Sequence, residues 1–506
     1  MIWALNLLRG CCAMTVISMR SAFICLALLL FAARLAADGN LIDIDASDPD
    51  RNIVPPAEKD ILLDARMAGP GAEENDDLTA AYLRLEQLAN DGLLDEADAA
   101  AKRLIQLAIE SRGMDSTQAA TALTNLAIVQ HQNAQYDAAQ SNYESAIEII
   151  ENVEDRLNAA LVNPLKGLAA AQLEGGRPDL ATTTFRRAVH VTHVNEGPHN
   201  LTQLQILQDL SDIQLMMGKV DKSMAIQETI HSVNIRKHGI DSVDLVPSLM
   251  RRAEWQHAAG MVMAERDTYR QAIRIIEKQI GKDDNAMVEP LIRLGRSFFF
   301  MDTSGQVSFH QPTLSKAEIY LKRAVRIAGN SSDPDWRTIA EATLALGDYY
   351  TFDSIPNRAR QVYRGAWKLL SENDSSGEKS PMRRDELERP LVLRQQSLPG
   401  QIGDSMLFPD HDADDPVREG VVTARFSVTE RGRTDDIEII EAEPVELATM
   451  IDAVRSEIRR RIYRPQLAEG EVVRAPGQVL THTYLFRQSD LDKARKQLAI
   501  AAESDS

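Results

Sequence analysis

Small and hydrophobic residues recur every 42 residues along most of the chain. In the segment AQYDAAQSNYESA, residues 134–146, the residues Ala139, Tyr143 and Ala146 lie four and three positions apart. They therefore share one face of a helix, where small residues admit a neighbouring helix and the aromatic ring fills the gap. Equivalents of Ala139 occur, in steps of 42 with one step of 52, at Ala97, Ala181, Ser223, Glu265, Ala317 and Ala359.

A second apolar set precedes the first at the same spacing and predicts another helix. It reads Leu-x2-Leu followed by a small residue, as in Leu123, Leu126 and Ala127, and it recurs from Leu165, Leu207, Leu291 and Thr343. Glycine accepts positive φ without a side-chain clash, which suits the end of a helix. Such glycines follow the set at Gly176, Gly218 and Gly260. Each repeat is therefore predicted to be a helix, a tight turn and a second helix.

These units resemble tetratricopeptide (TPR) repeats, with a longer spacing than usual for that family. The best single copy consists of Leu346, Gly347, Tyr350, Ala359, Tyr363 and Ala366. The resemblance implies a mostly α protein, a right-handed α-α solenoid of about seven units over residues 78–370. It also implies a groove, lined by the first helix of each unit, that grips peptides or proteins. An insertion in the sixth unit, residues 301–313, is either a binding loop or an inert one.

Counting along the repeat places polar and aromatic residues in the implied groove. The candidate partner-binding residues are Lys166, Asp212, Glu254, Arg296 and Phe299. The same face would include His131, His257, Phe300 and Phe352. Mixed charges and aromatics suit an extended peptide or a helix, although a merely solvated helix face has the same composition.

One glutamine recurs at the same spacing, at Gln130, Gln172, Gln214 and Gln256. The row either grasps a ligand backbone or bonds neighbouring helix ends. Because buried amides generally find partners within the protein, the second interpretation is favoured.

The spacing of apolar residues changes after the repeats, in residues 399–488. Apolar residues alternate with polar ones at Val422, Ala424, Phe426 and Val428, which is typical of a half-buried strand. A turn, a return strand and a helix with apolar residues at helical spacing follow, and a closing strand lies near residues 481–487. The order predicts a small α+β domain of ββαβ type.

This domain resembles the C-terminal domain of TonB-type energy transducers. The residues that carry the resemblance are Gly420, Val421, Val422, Phe426, Val428, Gly432, Tyr463, Pro465, Gly470, Tyr484 and Phe486. The resemblance implies a sheet edge that pairs with a short peptide of an outer-membrane receptor. The candidate edge residues are Leu480, Tyr484 and Phe486. The chain lacks the long proline-rich span of such transducers, so energy transduction is the alternative rather than the expected function.

The N-terminus reads as a targeting segment. In residues 1–37, Arg20 precedes an apolar run, and Leu35-Ala36-Ala37 follows it, as in a secretory signal peptide. A retained inner-membrane anchor is the alternative. All three cysteines, Cys11, Cys12 and Cys25, lie in this segment, so a processed chain would carry no thiol.

Three other segments lack an apolar period. Residues 38–77 hold twelve acidic and three basic side chains and predict a flexible acidic segment. Residues 371–398 read as a linker, and residues 489–506 as a charged tail. Cleavage of the leader would leave the acidic segment at the new N-terminus.

Composition and the absence of certain motifs limit the range of possible functions. A formal charge of −19 argues against nucleic acid or an anionic membrane surface as the main partner. Motifs for metalloproteases, serine hydrolases or phosphate binding are absent from the sequence. His190 and His193 lie one helical turn apart, but a surface pair is favoured over a metal site. The acidic run at residues 410–415 lacks the glycine and distal glutamate of a calcium loop.

The sequence thus predicts a protein with no enzymatic activity, cofactor or metal, which acts as a periplasmic scaffold for envelope proteins or peptides. An outer-membrane receptor is one candidate partner, and membrane contact is expected only if the leader is retained. A membrane-anchored TonB-like energy transducer is the alternative, and a hydrolase with unrecognised residues is a third hypothesis.

Overall fold

A computed structural model describes residues 77–300, 315–372, 374, 377–394 and 415–504. The predicted signal peptide and insertion lie outside these residues, as do most of the acidic segment and most of the acidic run. The described residues divide into two compact units. One contains the helices up to residue 383, and the other contains residues 384–394 and 415–504.

The first unit consists of consecutive antiparallel helix pairs, as the 42-residue period predicts. The seven pairs are α1 Asp77–Asn90 with α2 Leu94–Arg112, α3 Thr117–Gln132 with α4 Tyr136–Val153, α5 Val162–Glu174 with α6 Pro178–Glu196, α7 Gln203–Met216 with α8 Val220–His238, α9 Val246–Ala258 with α10 Val262–Gln279, α11 Val288–Ser297 with α12 Ser315–Gly329, and α13 Trp336–Phe352 with α14 Pro356–Ser371. Each helix packs against the next along the chain. The fold is therefore a TPR-like solenoid.

The recurring small and aromatic residues form the core between the helices. Ala139, Tyr143 and Ala146 are fully buried and belong to one apolar cluster that extends over pairs two to four. A Cβ atom at Gly167, on α5 of the next pair, would lie 2.3 Å from Cζ of Tyr143. The aromatic ring thus fills space that glycine leaves open, and it ties its own pair to the next one.

In the six pairs whose turns the structure describes, the first helix ends with a left-handed residue. Positive φ occurs at Gly92, Ala134, Gly176, Gly218, Gly260 and Ser354, so the predicted glycine turns are confirmed. At Ala134 the backbone N–H donates to the His131 carbonyl at 2.9 Å, and the next N–H donates to the Gln130 carbonyl at 2.8 Å. These two bonds satisfy carbonyls that the helix end would otherwise leave unpaired.

Ala134→Gly should stabilise the solenoid by about 0.5–1 kcal/mol, because alanine is strained at a φ of 55° and glycine is not. The exposed Ala138, at the start of α4, offers the matched control. Ala138→Gly should destabilise by a similar amount, since it loosens an ordinary helical residue. Urea unfolding of both variants measures the two changes, and a loss of stability in Ala134→Gly would contradict the turn geometry.

The second unit is a small α+β domain. The strands are β1 Leu391–Arg394, β2 Val417–Val428, β3 Thr434–Glu443, β4 Ile462–Arg464, β5 Leu467–Ala468, β6 Glu471–Val472 and β7 Ala475–Arg487. The main sheet is antiparallel with the order β3-β2-β7. Helix α16, Ala448–Arg460, packs on β2 and β3. The predicted strand–strand–helix–strand order is therefore present, and its core includes Val422, Phe426, Val454, Ile458 and Tyr484.

Two segments differ from their predictions. Residues 371–398, expected to be a linker, contain helix α15, Lys379–Glu386, and strand β1, which pairs with β4. The buried Arg464 donates to the Glu386 carbonyl at 3.0 Å. The expected tail forms helix α17, Gln488–Ser504, whose Leu491 enters the domain core. Both segments depend on partners distant in sequence, which local composition does not reveal.

Candidate partner-binding surfaces

A row of charged residues runs along the first helices of successive pairs. It consists of Asp212 on α7, Glu254 on α9, Arg296 on α11 and Asp348 on α13, and we call it the charged row. Glu254 keeps 46% of its side chain exposed and Arg296 keeps 32%, whereas Asp348 is buried. Lys166 on α5 is half-buried. Lys166, Glu254 and Arg296 thus remain accessible to a partner.

Ion pairs link the charged row across neighbouring repeats. Arg296 Nη2 lies 3.7 Å from Asp348 Oδ2, and Arg293 Nη2 lies 3.7 Å from Glu254 Oε1. Arg293 also lies 3.9 Å from Glu289 on its own helix. Arg293 and Asp348 were not among the candidate residues predicted from the sequence. Asp348 follows Arg296 by 52 positions, which equals the one longer step of the repeat, and this spacing could have identified it.

Phe299 does not lie on the accessible part of this surface. Its side chain is only 4% exposed, and its ring stacks on Phe352 with centroids 4.8 Å apart and planes at 10°. The neighbouring Phe300 makes an edge contact with His257 at 4.5 Å. The aromatic residues expected to contact a ligand instead pack one repeat against the next. Phe299 is therefore a core residue, whereas Phe300 and Phe352 remain half-buried.

The two histidines of this face also have partners inside the protein. His131 Nε2 lies 2.8 Å from Glu174 Oε2, which belongs to the next repeat. His257 Nδ1 lies 3.0 Å from Glu265 Oε2 within its own repeat. Glu265 stands where other repeats carry a small residue, and the contact with His257 accounts for that departure. Both pairs are largely buried and join helices.

Asp212 occupies an unusual environment within the charged row. Its Oδ1 accepts a hydrogen bond from Gln208 Nε2 at 2.9 Å. Burial disfavours the charged form and raises the pKa of the carboxyl to about 7, although the hydrogen bond from Gln208 acts in the opposite direction. The carboxyl therefore changes charge near neutral pH.

The glutamine row bonds helices to one another, as the favoured interpretation predicts. Gln130 Oε1 accepts from Asn142 at 2.7 Å, and Gln172 Oε1 accepts from Thr184 at 2.8 Å. Gln214 Nε2 donates to Thr182 Oγ1 of the preceding repeat at 3.0 Å. All four side chains of the row are buried. The row therefore holds the solenoid together.

The candidate edge residues of the second unit face its interior. Leu480, Tyr484 and Phe486 are buried and belong to the domain core. In the described part of the sheet, β7 pairs with β2 on one side and forms an edge on the other. Any partner would therefore meet the backbone of β7 and outward side chains such as Thr481 and Thr483, which are half-buried.

The described residues contain no group of three or more His, Cys, Asp or Glu side chains placed to hold a metal ion. His193 instead faces Gln203, with its Nε2 against the amide oxygen. Within residues 77–504, the described helices include none that is both long and apolar enough to cross a membrane.

Comparisons with known proteins found similarity to solved structures alone. No family model matches the chain, and neither does any curated protein. BtubC (BKLC) from P. vanneervenii is 19% identical, with 48% of this chain and 94% of that chain covered and a TM-score of 0.35.

Two further structures show the same level of likeness. A putative kinesin light chain of Podosopora anserina, with TPR-like repeats, is 16% identical, with 44% and 100% covered and a TM-score of 0.35. The C-terminal part of a TPR repeat-containing protein from Cytophaga hutchinsonii is 13% identical, with 59% and 98% covered and a TM-score of 0.36. The description of this chain as a TPR-like solenoid rests on its seven helix pairs.

Proposed function

We propose that the chain is a non-enzymatic scaffold of the Gram-negative periplasm that binds proteins or peptides through its solenoid and its C-terminal domain. The observation that carries the proposal is the set of accessible charged side chains Lys166, Glu254 and Arg296, which lie on the first helices α5, α9 and α11. Stacked repeats offer an extended surface that suits an extended ligand. The mixed charge along the row favours a partner with alternating charges.

The C-terminal domain provides a second surface of a different kind. The edge of β7 presents backbone N–H and C=O groups along a strand of 13 residues. A peptide can add to such an edge by strand pairing. The partner proposed for this edge is a short segment of an envelope protein, with an outer-membrane receptor as one candidate.

The proposed cellular location depends on whether the leader, residues 1–37, is cleaved. Cleavage after residue 37 would release the protein into the periplasm, whereas a retained leader would anchor it in the inner membrane and favour the TonB-like alternative. Cell fractionation and N-terminal sequencing distinguish the two. A mature chain that begins near Asp38 supports the scaffold and excludes the anchored transducer.

Site-specific photo-crosslinking in the cell tests the two surfaces. A crosslinker at Glu254 or Lys166 should capture a discrete partner, and one at the exposed Arg186 of α6 serves as the control. For the C-terminal domain, Thr483 on β7 is compared with Ile440, which is exposed on β3. Equal capture at test and control sites would contradict the proposed surfaces.

The charge of the row provides an independent measurement once a partner is captured. Glu254→Lys should weaken binding of the full chain about tenfold or more, because it places a like charge beside Arg293 and removes one acidic contact. Arg186→Glu, at the control position, should leave the affinity within about twofold. Isothermal titration of the purified variants with the captured partner measures both.

A further inference from the structure

The fourth helix pair lacks a packing contact that most other pairs share. Five other second helices carry Tyr143, Phe185, Tyr269, Leu321 or Tyr363 at one position, and the first carries Ala101. Helix α8 carries Gln227 there. The small apolar positions are occupied by Ser223 on α8 and Ser211 on α7. Three polar side chains thus occupy the centre of the fourth pair, where the third pair has Ala169, Ala181 and Phe185.

These side chains form a continuous hydrogen-bond network across three helices. Gln227 Nε2 donates to Ser211 Oγ at 2.9 Å and to Gln208 Oε1 at 3.2 Å. Ser223 Oγ donates to the Ser211 carbonyl at 2.7 Å. Trp255 Nε1, on α9 of the next pair, donates to Ser223 Oγ at 2.9 Å. The network therefore joins α7, α8 and α9.

Two apolar clusters meet at the fourth pair. One cluster extends through pairs two and three to α7, where it includes Leu210 and Ile213, and Ile226 of α8 packs against it. The later part of α8 contributes Ile235 to a separate cluster around Leu249 and Ile275. Only one of the four buried residues of α8, Val233, is apolar, whereas α6 buries Ala181, Phe185, Ala188 and Val191.

Polar and apolar contacts respond differently when helices separate. Hydrogen bonds broken inside the protein are largely replaced by hydrogen bonds to water, so their net contribution is small. Buried aromatic surface has no such replacement in water. The fourth pair should therefore open more readily than its neighbours.

From this contrast we infer that the fourth pair is a joint in the solenoid, with pairs one to three as one arm and pairs five to seven as the other. The half-buried Asp212 lies at one end of the network, since Gln208 bonds both its carboxyl and Gln227. The inference deepens the proposed function and rests on it in one respect: a partner that spans Lys166 and Glu254 would cross the joint and fix its angle.

Hydrogen exchange of the free full-length protein tests the joint without any partner. Helices α6 and α8 both have 19 residues, so α6 is the matched reference. The amides of α8 should exchange at least tenfold faster than those of α6. Simple fraying from the solenoid ends predicts the reverse, because a central pair is then the most protected. Equal or slower exchange in α8 would overturn the joint and leave the proposed function standing.

Two reciprocal double variants test whether the polar side chains cause the faster exchange of α8. Ser211→Ala with Gln227→Phe copies the third pair, which has Ala169 and Phe185 at these positions, and should slow exchange of α8 about tenfold. Ala169→Ser with Phe185→Gln transfers the polar positions into the third pair and should speed exchange of α6 by a similar factor. If the first variant does not fold, the second still decides, and unchanged exchange in α6 would refute the role of the polar residues.

Distances between spin labels test whether the arms move. Gln106, His190 and Arg274 are exposed equivalents two repeats apart, on α2, α6 and α10. With Cys11, Cys12 and Cys25 replaced by serine, pulsed electron paramagnetic resonance compares two label pairs. The His190–Arg274 pair crosses the joint and should give a distribution at least twice as broad as the Gln106–His190 pair. Equal widths would overturn the inference.

Discussion

Asp212→Asn should raise the free energy of unfolding at pH 8 by up to about 4 kcal/mol. Burial raises the pKa of this carboxyl from 3.8 to about 7, and each pKa unit corresponds to about 1.4 kcal/mol. Asparagine keeps the carbonyl that accepts from Gln208 and removes the charge that is costly to bury. The variant is therefore the more stable protein wherever the wild-type carboxyl is ionised.

The raised pKa determines whether the stability of the wild-type protein rises or falls with pH. Below pH 3.8 the carboxyl is protonated in both states, so it costs little. Between 3.8 and about 7 the unfolded chain releases the proton while the folded chain keeps it, so wild-type stability falls as pH rises. Above that window both states are charged and the loss is complete.

Urea unfolding of both proteins from pH 5 to pH 8 measures the difference. The gap between variant and wild type should widen up to about pH 7 and then stay constant. Glu254→Gln, at an exposed carboxyl of the same row, should change stability by about 0.5 kcal/mol or less at every pH. A gap that does not vary with pH would show that Asp212 is ionised throughout.

Tyr143→Ala should destabilise the solenoid by about 3–5 kcal/mol, the usual cost of truncating a large buried side chain. The ring is fully buried and packs over Gly167 of the next repeat, so its loss opens a cavity between two pairs. Thermal or urea unfolding should show the change. A loss below about 1 kcal/mol would mean that the neighbouring helices collapse into the space.

Tyr143→Phe is the matched control, and it should have the opposite effect. Among the described residues the buried hydroxyl has no hydrogen-bond partner, and its burial, with a smaller contribution from Glu174, raises the pKa of the Tyr143 hydroxyl. Removing an unpaired buried hydroxyl should stabilise by about 1 kcal/mol. Destabilisation would reveal a bound water that pairs with the hydroxyl.

The repeat period was sufficient to predict the helix pairs because each pair is built from local spacing. Ala139 and Tyr143 lie on one helix face, and Gly176 ends another helix, whatever surrounds them. The place of Phe299 was not predictable in this way. Its ring stacks on Phe352, 53 positions later and across the inserted residues, so its burial depends on how two repeats meet.

The C-terminal domain likewise contains elements that local patterns predict and one that they do not. Alternation in β2 and helical spacing in α16 are local patterns, and both elements are present. Strand β1 is short and pairs with β4 about 70 residues further on, and it depends on the buried Arg464 beside Glu386. No local composition distinguishes such a segment from a linker.

The sixth repeat accommodates its ten additional residues because a side chain of the fifth repeat fixes the end of helix α11. The guanidinium of Arg266 donates to the carbonyls of Ser297 at 2.8 Å and Phe300 at 3.0 Å. Downstream, the Tyr350 hydroxyl still reaches Glu318 at 2.8 Å, over the same 32 positions that separate Gln214 from Thr182. Ten additional residues thus leave the register unchanged on either side. A fluorescent reporter or an affinity tag inserted between Met301 and Thr313 should leave the packing of the helix pairs intact, so the insertion is a suitable site for labelling the protein in cells.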